Sequence, residues 1–296
     1  MALDNYLTID VEDYFQVSAF EKVSLRCGWD ERELRVEANT ERLLSILDDA
    51  DVQATFFVLG WVAEHCPQLI RRIAADGHEI ASHGYGHRRV CHQSRHEFRE
   101  DIRRSKGLLE DLCGTQVLGY RAPSYSISPQ CFWAFDELHA AGYSYDSSVF
   151  PIHHDLYGMP DWPRFQSLAR RNGDGSWQPS ACDEPDATTL LEFPITTLKL
   201  LGASVPIAGG GYFRLFPYSF TNWGLERINR MDQRPFVFYL HPWEIDPHQP
   251  RMANAGWKSR FRHYLNLDKT EGRLQMLLED FTFVPLRNCV RQSTRH

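Results

Sequence analysis

Five short apolar runs in the first 150 residues, at 6–11, 54–59, 78–82, 117–120 and just before Asp146, alternate with stretches of helical spacing. That rhythm commits a chain to a parallel sheet, open or rolled into an αβ barrel, because parallel neighbours need a crossover between them. The helical stretches are specific. Leu43, Leu44 and Leu47 share one face over 40–47, and a helix over 67–75 stops at Asp76-Gly77. Ser94 and Glu97 form a capping box ahead of a stripe of Phe98, Ile102, Leu109 and Leu112 that ends at Gly114. A further helix is expected over 132–141.

From about 150 to 235 the rhythm fails, and Pro, Gly, Asp and Trp become frequent. This segment reads as a loop-rich insertion around one strand at 190–195. Its GGGYFRLFPY run (209–218) lacks the spacing of a phosphate-cradling loop. The rhythm resumes with a strand over 236–240 running into His241. A helix over 273–278 and a strand over 281–285 follow.

Composition then narrows the classes. With 43% hydrophobic and 24% charged residues the chain is an ordinary globular one, so a disordered or fibrous protein is excluded. A formal charge of −7 argues against nucleic acid as a partner. No uninterrupted apolar stretch is long enough to span a bilayer. The N-terminus lacks a basic and then apolar leader pattern. The seven cysteines are odd in number and show no CxxC spacing, which fits free thiols in a reducing compartment. Cytoplasmic location is therefore expected.

Three clusters that follow expected strands carry chemistry. In TIDVEDYF, Asp10, Glu12 and Asp13 crowd one strand end, and clustered acids need a cation or a shared proton. The bland reading is a solvated strand end. In SHGYGH, His83 and His87 are four apart, the spacing that places two imidazoles on one face of a helical turn. Histidine with carboxylate suits Zn²⁺, Co²⁺ or another first-row divalent metal. His241, between an apolar strand and Pro-Trp, reads as a core histidine or as a general acid. Arg121 in GYRAPSYS reads as a surface charge or as a group that orients a carboxylate.

The ordered set TIDVED, ATFFVLG, HEIASHGYGH, GYRAPSYS, YDSS and FYLHPWE resembles the NodB-homology polysaccharide deacetylases, carbohydrate esterase family 4. The resemblance is closest to the branch of exopolysaccharide gene clusters. It covers about residues 5–250, and the tail HYLNLDKTEGRLQMLLEDF (263–281) resembles that branch too. It implies a distorted (β/α) barrel of the NodB type. Residues 1–250 would form the catalytic domain, with the insertion at 150–235, and 251–296 an extension packed on it. It also implies Asp10 as general base, Arg121 as its holder, His83 and His87 as metal ligands and His241 as general acid. The family's paired aspartates become Asp-Val-Glu-Asp here. One register then makes Asp13 the carboxylate ligand, the assignment preferred, and another makes it Glu12. The family's Arg-x-Pro-Tyr becomes Arg-Ala-Pro-Ser-Tyr, so the oxyanion donor falls to Ser124 or Tyr125.

The expected activity is metal-dependent removal of N-acetyl groups from amino sugars of a polysaccharide or lipid-linked glycan precursor. Zinc is the first choice of metal, and an N-acetylated glycan the expected partner. Tyr14, Tyr125, Trp243 and the aromatics of GYFRLF read either as sugar-stacking rings or as packing. Two rival readings stand: an allantoinase-like amidohydrolase, and an inactive glycan-binding module.

Overall fold

The computed structural model describes residues 3–154, 157–180, 186 and 188–293. Cys182 lies outside them. Cys27, Cys66, Cys91, Cys113 and Cys131 are free thiols.

Twelve strands are present among the described residues. Those of the first half are β1 (Asn5–Val11), β2 (Thr55–Val58), β3 (Glu79–Ser82), β4 (Gly119–Tyr120) and β5 (Tyr145–Asp146). They are joined through helices α1 (Val36–Asp49), α2 (Gly60–His65), α3 (Pro67–Ala75), α4 (Arg95–Cys113) and α5 (Trp133–Ala140). All five strand positions agree with the apolar runs. The Ser94–Glu97 capping box is formed, and Gly114 ends α4 with φ 67°, the left-handed conformation that glycine adopts most readily.

The later strands are β6 (Ser167–Arg171), β7 (Trp177–Ser180), β8 (Thr189–Glu192), β9 (Thr197–Leu200), β10 (Ala203–Pro206), β11 (Val237–Leu240) and β12 (Phe283–Val284). The sheet order is β11-β1-β2-β3-β4-β5-β8-β6-β7, with β12 beside β1. Pairing is parallel from β11 to β8 and antiparallel for β6 and β7. Among the described residues no backbone ladder joins β8 to β11. Val237 N–H donates instead to Thr196 Oγ1 at 2.8 Å, just past β8. The α/β expectation holds at the level of a parallel sheet wrapped by helices.

The described residues of 150–235 hold more regular elements than the one strand expected there. β6 and β7 form a hairpin over the NGDGS turn, and β9 and β10 form a second. Helices α6 (Gly210–Leu215) and α7 (Tyr218–Arg227) follow. Gly173 and Gly175 mark the first turn and Gly202 the second, while Pro179 and Pro206 sit within the strands themselves. The glycine run has a packing role: a Cβ at Gly209 or Gly210 would collide with the Tyr239 backbone or ring. Both glycines have positive φ, and Gly209 bridges to Tyr239. The tail holds α8 (Trp257–Tyr264), α9 (Leu267–Asp280) and α10 (Arg287–Ser293). No helix among the described residues is long and apolar enough to cross a membrane.

Alternation along β1 positions the site. Leu7, Ile9 and Val11 join the larger hydrophobic cluster, which also holds the helix residues Leu43, Leu47, Ile70 and Ile102. Tyr6 belongs to the other cluster, with Phe57, Ala81, Tyr145, Leu191 and Tyr239 from the neighbouring strands. Thr8 and Asp10 share Tyr6's face, so the polar end of β1 lies on the side of the sheet that carries this second cluster.

His78, ahead of β3, is buried, and its Nδ1 accepts the Ala54 N–H at 3.2 Å. Burial lowers its pKa from 6.5 to about 4. Between those values the unfolded chain binds the extra proton, so stability is complete above pH 6.5 and falls as pH drops towards 4. At pH 5 this one group should remove roughly 1–2 kcal/mol. Urea unfolding at pH 7.5 and 5.0 measures it. The loss should shrink in His78→Asn, which keeps an acceptor but cannot titrate.

Candidate active site

The site is assembled from the carboxyl ends of β1, β3, β4 and β11. Asp10 accepts from Arg121 Nη1 at 2.6 Å. Arg121 is fully buried, and its other donors reach Thr8 Oγ1 (2.8 Å), Ser147 O (3.1 Å) and Ser147 Oγ (2.9 Å). A guanidinium held on all sides fixes one Asp10 oxygen and leaves the other towards the cleft.

His83 and His87 do converge, but not on a helical turn. The segment after β3 is a bend in which Gly84 (φ 73°) and His87 (φ 49°) are left-handed. Backbone bonds from Gly60 N to Gly84 O and Trp61 N to Tyr85 O clamp it to α2. Arg26 Nη2 holds the His87 carbonyl at 2.8 Å. The ring centroids lie 5.4 Å apart.

The carboxylate that joins them is Glu12, not Asp13. Glu12, His83 and His87 each place one ligand atom within 4.8 Å of the others, and all three are buried. Asp13 faces away. Its Oδ1 accepts from Tyr14 N (2.8 Å), and its Oδ2 accepts from Arg35 N (2.7 Å) and Val36 N (2.9 Å). It therefore caps the start of α1, where free N–H groups and the helix dipole favour an acid. Asp13→Ala should lower unfolding stability by roughly 2–3 kcal/mol by stranding those donors. Metal content should stay unchanged. Chemical denaturation and elemental analysis of one preparation check both.

The donor set suits a divalent metal. His83 Nδ1 lies 2.8 Å from Arg121 O, which sets it as the protonated nitrogen and leaves Nε2 as the donor. Burial outweighs Asp10 and Glu12 and lowers the His83 pKa to about 4, so the ring is neutral. Glu12 Oε2 is buried without a hydrogen-bond partner and lies 2.9 Å from His87 Nε2. Burial alone would raise the Glu12 pKa; His87, His241 and His83 bring it down to about 2, so it is ionised.

His241 completes the cleft from β11. Its Nε2 lies 3.8 Å from Asp10 Oδ2 and 3.5 Å from Glu12 Oε1, and its Nδ1 lies 2.6 Å from Glu244 Oε1. Burial opposes its charge, but the Glu244 hydrogen bond and the Glu12 and Asp10 carboxylates raise its pKa to about 9. Glu244 is in turn held by Arg214 Nε at 2.6 Å. Arg214 Nη1 donates to the carbonyls of Arg262, His263 and Leu265. The sequence reading missed both Glu244 and Arg214. The signals were a glutamate three residues after His241 and the lone cation of GYFRLF.

Ser124 and Tyr125 line the same cleft, with φ 56° and 52°. The Tyr125 N–H is engaged by Ala122 O at 3.0 Å, which leaves Ser124 as the candidate oxyanion donor of the two. Trp243 cannot stack on a sugar. His241 covers one part of its ring (5.1 Å, 22° between planes) and His263 another (4.1 Å, 17°), while its Nε1 reaches Glu12 Oε1 at 3.3 Å. It braces the site instead. Tyr14 is buried edge-on against Phe15 and is a packing residue.

Residues 24–145 match the polysaccharide deacetylase family model, and residues 147–291 match a domain of unknown function, DUF3473. The first match contains His83, His87 and Arg121; the second contains Arg214, His241 and Glu244. A peptidoglycan-N-acetylglucosamine deacetylase of Bacillus cereus is 34% identical over 99 residues, 33% of this chain and 36% of that protein. A chitooligosaccharide deacetylase of Sinorhizobium fredii is 35% identical over 100 residues, 33% of this chain and 44% of that protein. A peptidoglycan deacetylase-like protein of Gibberella zeae is 31% identical over 228 residues, 76% of this chain and 57% of that protein. The chain thus spans from about a third to somewhat over half of the length of these relatives.

Among solved structures, a polysaccharide deacetylase-like protein of Mycobacterium smegmatis superposes with TM-score 0.58 at 18% identity, over 98% of this chain and 89% of that one. A Puue allantoinase superposes with TM-score 0.56 at 15% identity, over 97% and 88%. At these identities the likeness is one of fold. The sequence matches show, over residues 24–145, a polysaccharide deacetylase domain of the NodB, carbohydrate esterase family 4, type.

Proposed function

We propose that the protein hydrolyses the N-acetyl group of an amino sugar in a polysaccharide or lipid-linked glycan precursor, in exopolysaccharide biosynthesis. One observation carries this reading. Two proton-handling groups of opposite kind, Asp10 held by Arg121 and His241 held by Glu244, flank Glu12, His83 and His87 in one cleft of about 790 Å³. The resemblance of the tail to exopolysaccharide-locus proteins supports the pathway.

Glu12, His83 and His87 would hold the metal, with zinc favoured by the mixed nitrogen and oxygen donors. When bound there, a divalent metal polarises an acetamide carbonyl and makes water a better nucleophile at neutral pH. The free oxygen of Asp10 takes the proton from the attacking water. Arg121 keeps that carboxylate oriented. The Ser124 N–H faces the developing oxyanion. His241 delivers its Nε2 proton to the sugar nitrogen as the C–N bond breaks, since an unprotonated amine is a very poor leaving group. Glu244, locked by Arg214, keeps Nδ1 protonated and the ring aimed.

His241→Ala should lower turnover on an N-acetyl amide by roughly 10²- to 10⁴-fold, the usual share of a placed proton donor. An aryl acetate ester needs little leaving-group protonation and should lose far less. Comparing the two substrates in one variant checks this, and equal losses would make His241 a packing residue. The function itself is tested by acetate release from a panel of N-acetylated oligosaccharides, with allantoin alongside. Turnover of allantoin and of no glycan would replace this reading with the amidohydrolase one.

A further inference from the structure

One cation on the cleft wall is left incompletely used. Arg89 lies two residues past His87, its side chain is 10% exposed, and it lines the cleft with Asp10, His83 and His241. Its Nη2 meets Glu21 Oε2 at 3.3 Å, while its buried Nε has no hydrogen-bond partner. Nε and Nη2 form one side of the guanidinium, the side that takes both oxygens of a carboxylate at once. Here that fork is half-filled. A buried donor without a partner is uncommon and points to an absent acceptor.

Glu21 is a weak occupant. Its side chain is 36% exposed, so swinging into water costs it little. Lys22 and Arg262 line the same cleft, and among the described residues Glu21 is the one lining acid besides Asp10 and Glu12. A wall with three cations and one displaceable acid stands out on a chain of net charge −7.

We propose that the cleft selects an N-acetylated glycan bearing a carboxylate, such as a uronic acid, which Arg89 grips through Nε and Nη2 while Glu21 yields its place. This rests on the deacetylase reading and names its substrate class. Arg89 is then a specificity residue, not a catalytic one.

The test is calorimetric binding of two tetrasaccharides to zinc-loaded protein, with acetate measured in the same samples. One is neutral, of N-acetylglucosamine alone; the other alternates N-acetylglucosamine with glucuronate. The acidic one should bind roughly 10- to 100-fold tighter, the worth of a charge-assisted pair. Arg89→Gln should abolish that preference and leave the neutral sugar's affinity unchanged. Glu21→Gln, which leaves Arg89 intact, should tighten the acidic sugar alone. Equal affinity for both sugars in the unaltered protein, or no effect of Glu21→Gln on the acidic one, overturns the proposal. Preserved preference with no acetate from either sugar would instead overturn the deacetylase reading.

Discussion

Bound zinc and acetate release should disappear together when His83 or His87 is replaced by alanine. Each ring supplies one of only three protein donors in the group with Glu12, so losing one leaves two. Two ligands cannot hold a catalytic metal in competition with water, and three are the usual protein set. The fold should survive, because backbone bonds to α2 and the Arg26 contact still hold the bend after β3 when the His83 bond to Arg121 O or the His87 contact with Glu12 is lost. Glu12→Gln should weaken zinc binding as well, since the amide loses the charge that Glu12 brings between the two imidazoles. Elemental analysis, circular dichroism and acetate release on the same preparations read all three variants. Full metal occupancy in either alanine variant would refute the assignment.

Asp10→Asn should keep the metal and lose turnover by roughly 10²- to 10⁴-fold, because an amide cannot accept the proton from water. A second consequence follows from burial. Arg121 is fully buried and Asp10 is its one ion-pair partner among the described residues, so the variant leaves a guanidinium without a counter-charge. Removing one member of such a pair destabilises by roughly 3–5 kcal/mol. The hydrogen bonds to Thr8 and Ser147 that remain place the loss towards the lower end. Activity should therefore be measured below the variant's own melting range. Turnover close to that of the unaltered protein in folded Asp10→Asn would remove Asp10 from the mechanism.

The strands and the placement of Asp10, His83, Arg121 and His241 at their ends were legible because short apolar runs stop at polar residues. The preference for Asp13 over Glu12 as the carboxylate is one that the alternation along β1 argues against. Tyr6, Thr8 and Asp10 point inward, so Glu12 does too if the period continues past Val11, and Asp13 falls on the helix side. Family register, not strand geometry, points to Asp13. Within 150–235 only the strand at β8 was legible, because Gly, Asp and Pro interrupt the apolar pattern of the two hairpins. Arg214 and Glu244 were invisible for another reason. Thirty positions separate them, and the packing of the glycine run against Tyr239 and of Phe213 against Phe238 brings α6 to β11.

That packing also bears on the stretch matched by the domain of unknown function. β8, β11 and β12 lie in the same sheet as β1 to β5, and His241 closes the cleft opened by His83. The two matched stretches therefore share one site, and neither holds all of its residues.

The central claim is that this cleft is a metal-dependent deacetylase site, and acetate release from N-acetylated oligosaccharides before and after metal removal tests it most directly. The protein stripped with a chelator should release no acetate, and stoichiometric Zn²⁺ or Co²⁺ should restore release in the unaltered protein but not in His83→Ala. Release that persists in the stripped protein, or that returns equally in His83→Ala, would contradict it.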